Sequence, residues 1–172
     1  MLTNNFYNLF ADEQNQTNTT YTDGKLKNTT DTSEAYQPSY IYPFSPITSV
    51  YPATLSETDG GSDIRSAGLL IGTDGTPPTV NDYKLGNQIT NGFTSQTSIT
   101  KDSNDMARTK KLVAVLSVTN TSSNDLIIKE LGYVRGDRSY AFLMDRIVFD
   151  TPVVIKSGAT KTFEYRLNMP QP

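Results

Sequence analysis

The sequence predicts an all-β protein, an antiparallel β-sandwich with an extended N-terminal arm that carries a short N-terminal helix. Three observations lead there. Thr (24), Ser (15) and Asn (13) dominate the polar residues of the 172-residue chain, while charged residues are only 19%, against about 25% in ordinary globular domains. Thr suits strands, and Asn and Ser suit turns. Short apolar runs with period-two alternation recur through the last hundred residues, punctuated by Gly, Pro and Asn about every 8–12 residues, the spacing of a sandwich.

Charge divides the chain into an arm, residues 1–60, and a sandwich body, residues 61–172. The arm holds seven acidic and two basic residues, the body 11 and 13. This opposite balance favours docking of one part on the other. Within 1–10, Leu2, Phe6, Leu9 and Phe10 form an i, i+4, i+7, i+8 stripe, and Thr3 can cap the helix it predicts. A helix this short is marginal in water and needs a surface, on this domain or on a neighbouring subunit. The plain alternative is a frayed end. Residues 11–35 read as a polar linker. Residues 36–52 interleave Tyr36, Tyr40, Tyr42, Phe44 and Tyr51 with Pro38, Pro43, Pro46 and Pro52. That proline density excludes a helix and a central strand. It favours an extended ribbon whose aromatic rings lie along another surface. The ribbon either joins subunits or wraps its own domain. The subunit-contact candidates are Phe6, Leu9, Phe10, Tyr40, Tyr42, Phe44 and Tyr51.

In the body, SAGLLIG (66–72) predicts a buried strand and GTDGTPP (72–78) a turn. NDYKLGN (81–87) reads as a loop pinned by Tyr83 and Leu85. QITNGFTSQTSIT (88–100) reads as a strand with a bulge at Asn91-Gly92, followed by a polar connection over 101–110. KLVAVLSVT (111–119) is a central strand, TNTSSN (119–124) a hairpin turn, and DLIIKELGYV (125–134) the partner strand. After the turn RGDRS come YAFLMDRIVFD (140–150) and a short VVI (153–155). TFEYRLNM (162–169) ends the fold, with Phe163, Tyr165, Leu167 and Met169 facing in.

The chain contains no Cys, His or Trp. Disulfides, thiolate nucleophiles, Ser–His–Asp triads and His- or Cys-ligated metals are thereby excluded. A net charge of −3 provides no strong field for nucleic acid or an anionic membrane. No apolar run approaches the roughly 20 residues that span a bilayer. No leader is recognised, so synthesis in a cytoplasm is expected, and no cofactor is expected. Carboxylates are the main catalytic chemistry left, and Asp145 and Glu130, each inside an apolar strand, are the candidates for a glycosidase pair. The plainer reading places them on a solvent face or against Arg135, Arg138 or Arg146. DGGSD (59–63), GTDG (72–75) and DSND (102–105) offer oxygen ligands for Ca²⁺ without an EF-hand spacing, and turn chemistry accounts for each. Arg135-Gly136-Asp137 is an adhesive-type tripeptide, but also what a tight turn selects. Arg108, Lys110 and Lys111 form a small basic cluster without interleaved aromatics. Lys129, Glu130 and Asn120 are the residue types of an isopeptide crosslink, with nothing in the sequence to bring them together. The balance predicts a non-enzymatic protein with no catalytic, cofactor or metal residues.

Three stretches of the chain resemble structural proteins of tailed bacteriophages. They are SAGLLIGTDGTPPTVNDYKLGNQI (66–89), VAVLSVTNTSSNDLIIKELGYV (113–134) and LMDRIVFDTPVVIKSGATKTFEYRL (143–167), and the opening MLTNNFYNLF is similar too. The shared features are strand-and-turn patterns without catalytic residues to transfer. The resemblance implies an Ig-like or jelly-roll-like sandwich in a virion, present in many copies at the capsid, neck or tail. Its partners would be other virion proteins and further copies of itself. The alternative is a receptor- or glycan-binding module of a fibre or particle tip, contacting a host-surface glycan or receptor.

Overall fold

The computed structural model describes residues 1–7, 29, 49–50, 66–104, 109–137 and 140–170. Its seven strands are β1 (Ser49–Val50), β2 (Ser66–Gly72), β3 (Phe93–Asn104), β4 (Thr109–Asn120), β5 (Leu126–Asp137), β6 (Tyr140–Ile155) and β7 (Thr160–Pro170). They form two sheets of order β1-β2-β5-β6 and β3-β4-β7. Every pairing is antiparallel except the short β1–β2 contact. This is the all-β sandwich that composition and alternation predict. Of the Tyr/Pro segment 36–52 only Ser49–Val50 is described, and it pairs with β2 of its own body; of the linker only Thr29 is described, its amide donating to the Ala141 carbonyl (2.9 Å).

The core forms where the two inner faces meet. Leu69 and Ile71 from β2, Leu131 and Tyr133 from β5, and Phe142 and Met144 from β6 pack against Leu112, Ala114, Leu116 and Val118 from β4 and Phe163, Tyr165 and Leu167 from β7. Alternate residues are buried over 111–120 of β4 and 162–167 of β7, the period-two pattern that the sequence predicts. Two aromatic pairs bridge the layers: Tyr133 stacks on Tyr165 with centroids 5.1 Å apart, and Phe149 on Phe163 at 6.0 Å.

Several local expectations are corrected. The turn after β4 does not make a hairpin, because β4 pairs with β3 and β7 while β5 pairs with β2 and β6. The chain crosses here from one sheet to the other, and a buried Asn120 turns it. Asn120 Nδ2 donates to the carbonyls of Asn124 (2.7 Å) and Ile155 (2.8 Å), and its Oδ1 accepts from the Ser122 amide (2.9 Å) and hydroxyl (2.8 Å). Asn91-Gly92 is not a bulge within a strand. Gly92, at φ 79°, is the turn that starts β3, and its carbonyl accepts from the Thr121 and Ser122 amides. The β3–β4 ladder runs on to Asn104↔Thr109, so most of the predicted polar connection is strand. The two strands expected over 140–155 are one, with a register shift between Ile128 and Glu130 that sets residues 149–152 of β6, Thr151 and Pro152 among them, opposite Lys129.

Residues 1–7 belong physically to the body. Leu2 bridges Asp145 in antiparallel fashion, the Thr3 amide donates to the Met144 carbonyl (3.0 Å), and the Arg146 amide donates to the Met1 carbonyl (3.1 Å). One helical turn follows over 4–7. Thr3 stands at its start, but its hydroxyl donates to the Leu143 carbonyl (2.6 Å) rather than capping the turn. The expected amphipathic helix is therefore a single turn within the described residues, because residues 1–3 are drawn into the edge of β6.

Phe6 is 2% exposed and packs in the main core. Deleting a buried aromatic ring of this kind costs about 3–5 kcal/mol. Phe6→Ala is therefore expected to lower the unfolding free energy by that amount, read as a lower denaturant midpoint at an unchanged m-value. A loss below about 1 kcal/mol would show that residues 1–7 are not part of the folded unit.

Candidate functional site

The densest polar cluster lies on the outer face of the four-stranded sheet, where the β2–β3 connection (73–92) folds back over β5 and β6. Strand alternation places Glu130 on β5 and Arg146 on β6 on this face. Arg146 Nε donates to Glu130 Oε2 (2.8 Å), Nη1 to Asp82 Oδ2 (2.9 Å) and Nη2 to Asp74 Oδ2 (2.9 Å). The guanidinium fork thus ties two strand residues to two loop residues in a fixed planar geometry. The Arg146 side chain is 4% exposed and that of Glu130 is 0% exposed.

Glu130 does more than neutralise Arg146. Its oxygens also accept from the backbone amides of Asp74 (3.2 Å), Gly86 (3.1 Å) and Asn87 (2.9 Å). Three loop amides thus converge on one carboxylate and hold the loop against the sheet. The close approach needs glycine. A Cβ on Gly72 would collide with Glu130 Oε1 and the Asn87 carbonyl, and one on Gly86 with the Asp74 side chain. Below the polar cluster, Leu85 drops into a small apolar cluster with Leu70, Val134 and Leu143. Of the two predicted loop pins, Leu85 is buried and Tyr83 half-buried. Asn4 joins the loop tip to the N-terminal segment, through its amide to the Val80 carbonyl (2.7 Å) and its side chain to Asn81 Oδ1 (2.9 Å).

These contacts shift the ionisation of the loop carboxylates. The Thr76 hydroxyl and amide, and then Arg146, hold Asp74 below its ordinary value. Partial burial pushes Asp82 up, but the Thr79 amide, Arg146 and the Thr79 hydroxyl outweigh it, so Asp82 is also lowered. Burial works against the Arg146 charge, and Asp82 and Glu130 more than compensate, raising its pKa.

The second carboxylate candidate, Asp145, lies elsewhere. The Tyr133↔Asp145 register puts it on the inner face of the sheet. There its Oδ2 accepts from the Tyr165 hydroxyl (2.8 Å), and its Oδ1 lies 2.7 Å from the amino group of residue 1. Burial, and then the Asp145 carboxylate, raise the Tyr165 pKa. Asp145 and Glu130 therefore stand on opposite faces of one sheet and do not flank a common cleft. Each is engaged in holding a segment: Glu130 the β2–β3 loop, Asp145 the start of the chain. Among the plainer readings, pairing with Arg146 holds for Glu130.

The remaining candidates separate in the same way. Arg135 of the Arg-Gly-Asp tripeptide is fully buried within β5, so the tripeptide is not displayed at a turn. Asp74 of the GTDG turn is held by Arg146 and Thr76. DGGSD lies outside the described residues, and the side chains of DSND and of Arg108 and Lys110 are likewise not described. Asn120 is committed to its turn, and Lys129 lies instead against Gly75. Among the described residues no group of three or more acidic side chains is placed to hold a metal ion. None of the described helices is long and apolar enough to cross a membrane. Of the subunit-contact candidates, Phe6 makes its contacts inside its own chain. Leu9, Phe10, Tyr40, Tyr42, Phe44 and Tyr51 lie outside the described residues. The convergence of Asp74 and Asp82 on Arg146 was not read from sequence. The available signal was two acids in a loop that is otherwise nearly uncharged.

No protein-family model matches the chain, and no curated protein matches it.

The pH dependence follows from the lowered Asp74 and Asp82 values. As pH falls, the unfolded chain takes up these protons before the folded one does. The stabilisation is therefore complete above the ordinary carboxylate value of 3.8 and is lost as pH falls through the lower folded-state values. Amide exchange, normalised to intrinsic rates, is expected to show Asp74, Gly86 and Asn87 losing protection on acidification while Leu112–Leu116 stay protected. Uniform loss across both groups would contradict a separate clamp.

Proposed function

We propose that the chain is a non-enzymatic structural protein of a tailed-bacteriophage virion, assembling in multiple copies at the capsid, neck or tail. The observation that carries this reading is the use made of the body's buried charge. Arg146, Glu130, Asp74 and Asp82 tie a loop to a sheet, and Asp145 ties residues 1–3 to the same sheet. A rigid sandwich whose charged groups serve its own cohesion suits a scaffold that presents attachment segments. The strand-and-turn resemblance over 66–167 supports the virion context. The Tyr/Pro ribbon of residues 36–52 supplies rigid, amphipathic anchors of the kind that dominate protein interfaces. Because residues 1–7 are built into the body and Ser49–Val50 at the end of the ribbon pair with β2, the attachment role falls to the part of the ribbon before β1, through Tyr40, Tyr42 and Phe44.

Density-purified particles from the source are expected to contain this chain at a fixed ratio to the major shell protein, measured by quantitative mass spectrometry. A Tyr40→Ser/Tyr42→Ser/Phe44→Ser variant is expected to keep its circular dichroism spectrum and to incorporate at least about tenfold less, since interface aromatics of this type contribute about 2 kcal/mol each. Absence of the chain from particles would refute the virion reading. Full incorporation of the triple variant would refute the ribbon's role. Loss of host-cell binding with incorporation unchanged would favour the receptor- or glycan-binding alternative.

A further inference from the structure

A sandwich of two sheets has four edges, and a bare edge is a template for another strand. Three of the four are managed within this chain. The edge of β6 is covered at Leu143–Arg146 by residues 1–3. The edge at β1 is only two residues long. The edge at β7 carries exposed Lys161, Glu164 and Arg166 and ends at Pro170. Charge, proline and shortness are the usual guards against unwanted pairing.

The fourth edge, β3, is long and carries charge only toward its end, at Lys101 and Asp102. It is 12 residues long and pairs on one side with β4. Phe93–Thr100 contains no charge, no proline and no glycine. Its residues alternate cleanly: Thr94, Gln96, Ser98 and Thr100 are exposed, while Phe93, Ser95, Thr97 and Ile99 turn inward. Among the described residues, no hydrogen bond reaches its far side. The inward Thr97 hydroxyl is buried and finds no partner among the described residues.

We propose that the β3 edge is a homotypic interface, where β3 of a second copy pairs antiparallel about a two-fold axis to make a continuous six-stranded sheet. Self-complementarity is what singles out a second copy. A register centred on Gln96 keeps inward residues on one face. It sets Phe93 opposite Ile99, Ser95 opposite Thr97, and Thr94 opposite Ser98. The uncharged stretch brings no like charges together, and the Ser95 hydroxyl comes across to the unpartnered Thr97. The Tyr/Pro ribbon of a neighbour is a poor occupant, because its four prolines cannot donate to a ladder. The inference concerns the isolated chain and stands apart from the virion reading.

Light scattering on the purified full chain over a dilution series is expected to give a species of twice the 19.0 kDa chain mass. Thr94→Lys/Gln96→Lys/Ser98→Lys places exposed like charges across the dyad and is expected to return the 19.0 kDa monomer with an unchanged circular dichroism spectrum. Thr160→Lys/Thr162→Lys on β7 is expected to leave the dimer intact. A monomeric wild type, or an assembly that the triple substitution leaves intact, would overturn the proposal. Should the triple variant unfold, Gln96→Cys decides, since the natural chain has no cysteine. A disulfide-linked dimer of that variant supports the dyad, and its absence overturns it.

Discussion

The contact on which the outer layer depends is the one between Arg146 and Glu130. An arginine at 4% exposure and a glutamate at 0% are costly to bury. The cost is offset because the pair is not left as two point charges. The guanidinium reaches two further carboxylates, and the Glu130 oxygens take three loop amides. Removing either residue would strand the other in a dry site and release the loop amides together. The glycines at 72 and 86 follow from the same contact, since only glycine lets the loop come so close to Glu130 and Asp74.

The clamp also links distant parts of the chain. Arg146 stands on the stretch of β6 whose edge receives residues 1–3, and its own amide donates to the Met1 carbonyl. Asp145, next in sequence, faces the opposite side of the sheet and meets Tyr165 of the second sheet. Two adjacent residues thus serve two layers, as strand alternation requires. Leu85 and Asn4 then fix the loop to the sheet below it and to the N-terminal turn beside it. The result is a body whose cohesion reaches beyond the apolar core to its covering loop.

Much of this was legible in the sequence. The alternation of Phe163, Tyr165 and Leu167 gave the inward face of β7, and SAGLLIG gave β2, because period two and β-branched or leucine-rich runs are local signals. Strand partners were less legible. The turn after β4 looks like a hairpin from its Asn and Ser residues, and only the buried Asn120 side chain sends the chain across to the other sheet. The break expected at Thr151-Pro152 is absorbed by a bulge. At the site, Glu130 and Arg146 could be proposed as a pair from their strands. Asp74 and Asp82 could not, since their convergence comes from loop closure over more than 60 residues of sequence. Thr3 fits the local pattern of a cap, but a tertiary carbonyl from β6 takes its hydroxyl instead.

The measurement that tests the account most directly is a double-mutant cycle on Arg146 and Glu130, each replaced by Met, read by denaturant unfolding. Each single substitution is predicted to cost about 3–5 kcal/mol, because it leaves a buried charge without its partner. The double substitution is predicted to cost clearly less than the two together, with a coupling of about 2 kcal/mol or more. Single effects below about 1 kcal/mol that add without coupling would contradict the clamp as the organising contact of the outer layer.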